Sequence, residues 1–287
     1  MLLENLIIMK KINLPTIIAI SALSWILVNI THEFVGHAGF GMLFGHKLNA
    51  VNTTTAYLDL DWDNSINQHG FVSLRFFCLG GVLMNFITGL IALLILKFKK
   101  PVNSQTNLFL WLFASFSFVV IVMNLVSVTL IGNGDLPGFI RTFNNQGTAR
   151  IIILIIGLFI MITGYIVIQR SFMPDMKGHR LILIFITLIP ALIVAIVQTL
   201  SLIKNPFAYL PPSQSHLFAC LLVYIHFLLW ALVVNIAPSS SKTNSIENVL
   251  IVKSFFWITI GIIAILFYIL ILGPGIGSFD GHPGLWR

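Results

Sequence analysis

The chain has 287 residues, of which 57% are hydrophobic and 9% are charged, and its mean hydropathy is +0.98. This composition excludes a water-soluble globular protein and predicts an all-α, polytopic bundle of helices in a lipid bilayer. The net charge of +7 does not indicate a nucleic-acid partner, because Lys and Arg stand in short clusters beside apolar segments, as membrane flanks do.

Seven apolar runs are long enough to cross about 30 Å of hydrocarbon as helices. No linker or internal repeat divides them, so we predict a single membrane domain over 1–287. The expected location is the cell membrane, inner or plasma. The seven predicted spans lie at roughly 14–36, 71–96, 107–131, 150–169, 181–203, 217–236 and 251–272.

Polar segments between the predicted spans are short. The longest, 46–70, follows the first span, and its weak alternation from Thr53 to Trp62 predicts a short strand or hairpin at the membrane surface. A strand there could pair with an unwound segment of another chain; an acidic surface turn is the alternative. The glycine-rich stretch 132–138 predicts a break after the third span.

The first span ends in a hexapeptide, 32–37, with the sequence His-Glu-Phe-Val-Gly-His. Ionisable groups are costly at membrane depth and are usually functional. Two neutral imidazoles can hold Zn²⁺, and a free carboxylate can act as a general base. His32 and His37 are therefore candidate metal ligands, and Glu33 is the candidate base. The alternative is a pair of interfacial histidines.

The spacing of the two histidines is unusual for a metal site on a helix. Residues five apart on a regular α-helix lie about 140° apart, so His32 and His37 would not face the same ion. A local widening of the helix to an i→i+5 turn would align them, and such turns recur at functional sites. Gly36 and Gly39 either permit this widening or end the helix there.

A third ligand is expected from another span. Asp135 follows the third span, which runs in the same direction as the first, so the two motifs emerge on the same side of the membrane. The alternative interpretation of Asp135 is a turn residue after glycine. Asp280 and His282 are alternative ligands or part of a solvated tail, and His226 is a core histidine or a proton relay.

Three motifs stand in the order of a known protease core. They are the stretch 32–38, the Gly-Gly-Val-Leu-Met-Asn stretch 80–85 in the second span, and Asn124-Leu125 leading to Asp135. Over about 20–140 the chain resembles the site-2 protease family of intramembrane zinc metalloproteases. We therefore expect a protease-like three-helix core over 14–140 and four additional transmembrane helices over 150–272.

The resemblance implies hydrolysis of peptide bonds in a membrane protein or peptide, with Zn²⁺ as the cofactor. It implies His32, His37 and Asp135 as ligands and Glu33 and Asn85 as catalytic residues. The chain differs from the family by one extra residue between the histidines. A catalytically inactive scaffold or regulator and a proton-coupled transporter remain as alternatives. Neither the natural substrate nor the oligomeric state is indicated by the sequence.

Overall fold

The computed structural model describes residues 12–58, 62–99, 103–132, 134–172, 180–203, 225–232 and 251–277. Nine α-helices are labelled here: α1 Leu14–Ile30, α2 Gly39–Leu43, α3 Trp62–Lys99, α4 Ser104–Val122, α5 Thr129–Ile131, α6 Asp135–Arg141, α7 Gln146–Phe172, α8 Arg180–Ile203 and α9 Phe255–Phe267. Residues 225–232 are also helical. Three π-helical segments extend α1, α4 and α9: Thr31–Ala38, Met123–Val128 and Tyr268–Leu272.

The predicted bundle of membrane-spanning helices is confirmed. Six helical stretches in the described part of the chain are long and apolar enough to cross a bilayer, so the chain is an integral membrane protein. Of the predicted span 217–236, only 225–232 lies within the described residues. The six stretches are Leu14–Leu43, Phe71–Phe98, Ser104–Ile131, Gln146–Ile168, Phe185–Ile203 and Phe255–Leu272.

The first span begins at a capped end and is longer than predicted. The side chain of Asn13 accepts a hydrogen bond from the backbone N–H of Thr16 at 3.1 Å, which satisfies one of the free donors of the first turn. The span does not end near residue 36. It continues through both Gly36 and Gly39 as far as Leu43, so these glycines permit the helix and do not end it.

The predicted surface hairpin is confirmed, although it begins before Thr53. Strand β1, Leu48–Val51, pairs antiparallel with β2, Ala56–Leu58, and on its other side with β3, Ile276–Gly277. The strand order is therefore β2-β1-β3, with a third strand that the sequence did not predict. The sheet packs through Val51 and Ala56 against Ala38 at the end of the first π-helical segment.

The largest buried cluster includes residues of the first, third and fifth spans and of the 225–232 segment, and aromatic side chains join the first span, the third span and 225–232. The indole of Trp25 meets the ring of Phe116 and the ring of Phe227 edge to face, with centroids 6.5 and 5.4 Å apart. Lipid tails are as apolar as these side chains, so the cluster stabilises the bundle through close packing and ring geometry.

One buried amide joins three spans inside this cluster. The side-chain oxygen of Gln198 on α8 accepts a hydrogen bond from Trp25 Nε1 at 3.1 Å and from the Tyr268 hydroxyl at 2.8 Å. All three side chains are buried, where an unpaired donor is costly. Gln198 therefore fixes the first span against the fifth and the last.

Replacement of Gln198 by Met is expected to lower the free energy of unfolding by about 1–3 kcal/mol, because both donors lose their acceptor. Unfolding in mixed micelles measures this loss. Gln105→Met is the matched control: Gln105 donates one described bond, to the Val252 carbonyl at 3.2 Å, and its loss should cost less. Equal losses in the two variants would contradict the role given to Gln198.

Candidate metal centre

The first π-helical segment aligns the two histidines. Thr31–Ala38 has i→i+5 hydrogen bonding, so side chains five residues apart lie one turn above another on the same face. His32 Nε2 and His37 Nε2 are 3.3 Å apart, and both residues are buried. The widened turn that the spacing required is present, and a regular α-helix would have separated the rings.

Asp135 reaches the histidines from the end of the third span. Gly132 and Gly134 both have positive φ, 83° and 105°, which lets the chain turn back sharply after α5. Asp135 then begins α6. Pro137 lies in the first turn of that helix, where a missing N–H costs nothing. The two motifs, predicted to emerge on the same side of the membrane, lie together in the structure.

The three side chains form a nearly equilateral triangle of ligand atoms. Asp135 Oδ2 lies 3.2 Å from His32 Nε2 and 3.1 Å from His37 Nε2, and the two nitrogens are 3.3 Å apart. A tetrahedral ion with N and O ligands at about 2.0–2.1 Å has its ligand atoms about 3.3–3.4 Å apart. The triangle therefore has the size of one face of such a tetrahedron, and these residues can hold a metal ion.

The proton on His37 is fixed by the second span. His37 Nδ1 lies 2.7 Å from the backbone carbonyl oxygen of Phe77 on α3, which can only accept. Nδ1 therefore carries the hydrogen, and the neutral ring presents the Nε2 lone pair to the Asp135 carboxylate. Two acceptors 3.1 Å apart repel each other unless a proton or a metal ion lies between them.

His32 is held by an amide that is itself constrained. The Asn85 side chain lies between His32 and Thr31. Its amide nitrogen is 3.1 Å from His32 Nδ1, and its amide oxygen is 3.0 Å from Thr31 Oγ1. The single hydroxyl proton of Thr31 also has the Val28 carbonyl within 2.8 Å. Turning the amide over satisfies all three contacts: Thr31 donates to Val28, Asn85 donates to Thr31, and His32 Nδ1–H donates to Asn85. In this arrangement His32 Nε2 carries a lone pair that can bind a metal ion.

Close approach of α3 to the histidines depends on glycines. A Cβ added to Gly81 would lie 2.5 Å from the His32 ring, and one added to Gly80 would lie 2.5 Å from the carbonyl oxygen of Gly36. Both distances are well below van der Waals contact, so the backbones meet here only because these residues lack side chains. The small-residue stretch in the second span is therefore part of the metal centre.

Glu33 lies beside the three ligands without belonging to their triangle. It is buried and interacts electrostatically with His32, His37 and Asp135. Among the described residues, none donates a hydrogen bond to its carboxylate. Burial raises the pKa of the Tyr57 phenol on β2, a hydrogen bond with Thr55 lowers it, and the charge of Glu33 adds to the rise. The hairpin packs on the π-helical segment that carries Glu33.

The electrostatic balance favours an ionised Asp135. Burial alone would raise the pKa of Asp135, but the positive charge and hydrogen bonds that the adjacent His37 and His32 supply when protonated outweigh it, so the pKa lies well below its ordinary value. A bound metal ion would take the place of the imidazole proton. Ionised carboxylate and neutral imidazole are the forms that bind metal.

The structure brings together all five residues singled out by the sequence. His32, His37 and Asp135 converge, Asn85 contacts His32, and Glu33 lies beside them. The alternative ligands Asp280 and His282 lie outside the described residues. His226 contacts Ser127 Oγ at 3.1 Å. Two residues of the site were not predicted from the sequence. Thr31 could have been suspected because it directly precedes the motif, whereas Phe77 contributes only a backbone carbonyl, which no side-chain pattern indicates.

Gly81→Ala is expected to displace the His32 ring and to weaken metal binding at least tenfold, because its methyl group would occupy the space of the imidazole. Isothermal titration with Zn²⁺ in detergent measures the affinity. Gly39→Ala is the matched control in the first span, since a Cβ there meets its nearest atom at an ordinary 3.5 Å. Unchanged affinity in Gly81→Ala would contradict this account of the packing.

Comparisons with protein-family models, with curated proteins and with solved structures find no match to this chain. What the centre does must therefore be inferred from its own residues.

Proposed function

We propose that this protein is an intramembrane zinc metalloprotease, which hydrolyses peptide bonds of membrane-associated substrates. The observation that carries the proposal is the convergence of three potential ligand atoms, His32 Nε2, His37 Nε2 and Asp135 Oδ2, within 3.3 Å of one another in a membrane protein. A carboxylate that can act as a base, that of Glu33, lies beside them.

Zinc is the ion that best suits this donor set. Mg²⁺ and Ca²⁺ prefer six or more oxygen ligands, whereas two imidazoles and one carboxylate form a common set for catalytic zinc. Three protein ligands leave one position of a tetrahedral ion open, which distinguishes a catalytic from a structural site. Asn85 and the Phe77 carbonyl supply the outer contacts that usually orient ligating histidines.

The reaction requires little more than these groups. Zinc held there would act as a Lewis acid, making water nucleophilic near neutral pH and polarising the substrate carbonyl. Glu33 accepts the proton of the attacking water on its carboxylate and delivers it to the amide nitrogen as the C–N bond breaks. Asn85 keeps His32 in the metal-binding tautomer, so its contribution to catalysis is through His32.

The surface sheet suggests how a substrate is held. A transmembrane helix must unwind before its peptide bonds are accessible, and an unwound segment can pair with a free strand edge. In the described sheet β2 is an edge strand, Ala56–Leu58, and the sheet packs on the π-helical segment that carries Glu33. A segment paired with β2 would lie close to the proposed base.

The order of the three motifs also supports the proposal, because it resembles that of site-2 proteases. An inactive scaffold would need neither a base beside the triangle nor a metal. A transporter that uses His32 and Glu33 as proton relays gives no reason for three acceptors to meet.

Metal content and cleavage test the proposal together. The purified wild type is expected to contain about one zinc per chain by elemental mass spectrometry, and His32→Ala and Asp135→Ala should lose it. Glu33→Gln should retain zinc, because Glu33 is not a ligand. Cleavage of a library of apolar peptides in liposomes, followed by mass spectrometry, should fall by at least a hundredfold in Glu33→Gln.

The controls separate the alternatives. Glu33→Gln and wild type should bind zinc equally, so a difference in cleavage between them reports on the base alone. If the wild type contains zinc but shows no cleavage that depends on Glu33, the inactive scaffold is favoured. A wild type without stoichiometric metal at neutral pH would refute the proposal, and solute-dependent proton flux in liposomes would favour the transporter.

A further inference from the structure

The helix that carries Asp135 has no side-chain cap at its N-terminal end. Gly132 and Gly134 precede it with positive φ, and Gly134 offers no side chain to cap the first turn. Glycines of this kind restrain the backbone little. Apart from its own contacts with His32 and His37, Asp135 therefore depends for its position on contacts made further along α6.

One such contact is made at the C-terminal end of α6 by an arginine of the second span. Arg75 on α3 donates from Nε to Thr142 Oγ1 and from Nη2 to the Thr142 carbonyl, both at 3.0 Å. Its guanidinium also lies over the ring of Phe143, 4.4 Å from the centroid. Three contacts to two consecutive residues make a rigid attachment, as the planar fork of arginine allows.

Thr142 is suited to receive this attachment. It is the C-terminal capping residue of α6 and is buried. Its hydroxyl donates to the Phe139 carbonyl at 2.7 Å and so presents its lone pairs to Arg75. Carbonyls at a helix end lack partners within the helix and favour a positive charge. Arg75 thus satisfies the end of α6 and ties it to α3.

A seven-residue helix is only about 10 Å long and moves as one piece. Fixing Thr142 against α3 therefore restrains Asp135 at the opposite end. Leu136 and Ile140 place the same helix in a buried apolar cluster with Val82 of α3 and with residues of the third and fourth spans. This apolar packing holds α6 laterally, but it has no directional bond that sets how far α6 slides along its axis.

We propose that Arg75 is a positioning residue for the metal centre: by anchoring Thr142 it sets the place of the Asp135 carboxylate relative to His32 and His37. The consequence for metal binding rests on the proposed zinc site, whereas the anchoring of α6 does not. Arg75 contacts no ligand atom itself and acts through α6.

The test compares Arg75→Met, Arg75→Lys and Arg141→Met in the full-length protein in detergent. Arg75→Met keeps much of the volume and removes the fork, and Arg75→Lys keeps the charge. Arg141 is exposed in the last turn of the same helix, so Arg141→Met is the matched control. Zinc affinity is expected to fall roughly ten- to a hundredfold in Arg75→Met, less in Arg75→Lys, and not in Arg141→Met.

Two further readouts distinguish positioning from general destabilisation. The absorption spectrum of the Co²⁺-substituted protein should shift in Arg75→Met, because the carboxylate ligand moves. Amide hydrogen exchange in the metal-free protein should become faster over 138–143 in Arg75→Met and remain unchanged over 14–30.

The outcomes separate this inference from the proposed function. Wild-type zinc affinity and an unaltered Co²⁺ spectrum in Arg75→Met would overturn the inference and leave the protease proposal intact. A wild type that binds no zinc would overturn the protease proposal. Amide hydrogen exchange in the metal-free protein would still test whether Arg75 anchors α6. An unchanged exchange rate over 138–143 in Arg75→Met would show that it does not.

Discussion

The site depends on one constraint: three potential ligand atoms, from His32, His37 and Asp135, lie so close together that a proton or a metal ion must lie between them. His37 has its proton committed to Phe77, and Asp135 is ionised. Without a cation between these atoms the arrangement is unfavourable in a low-dielectric interior. A bound metal ion would take the place of the proton, so metal binding, pH and the stability of the bundle are linked.

A single helix, α3, supplies the contacts that keep this arrangement in place. From one end of the site to the other, Arg75 holds the Asp135 helix, Phe77 accepts from His37, Gly81 admits the His32 ring, and Asn85 bonds its Nδ1. Because these four residues share one rigid rod, the relative positions of the three ligands are set by one element. The ligands come from two other elements and are oriented by α3.

Much of the fold could be predicted, because the thickness of a bilayer fixes the length of an apolar run that crosses it. The spacing of His32 and His37 predicted a widened turn on geometric grounds alone, and the direction of the spans predicted that Asp135 would lie on the same side of the membrane as the histidines.

Interactions between distant residues could not be predicted: the pairing of β3 with β1, the bonds of Gln198, and the attachment of Arg75 to Thr142. The start of α6 was also missed, since its glycines and Pro137 resemble a turn. Asn85 could be named as a site residue, but its contact with Thr31 depends on the packing of two helices.

The pairing of the three-stranded sheet implies an order of assembly. Its central strand, β1, follows the first span, yet one of its two neighbours, β3, follows the last described span. During synthesis the backbone groups on that side of β1 stay unpaired until nearly all of the bundle has been made and inserted. The hairpin beside Glu33 therefore reaches its final form late, so a partly synthesised chain holds the acid and both histidines before it has the completed platform next to them.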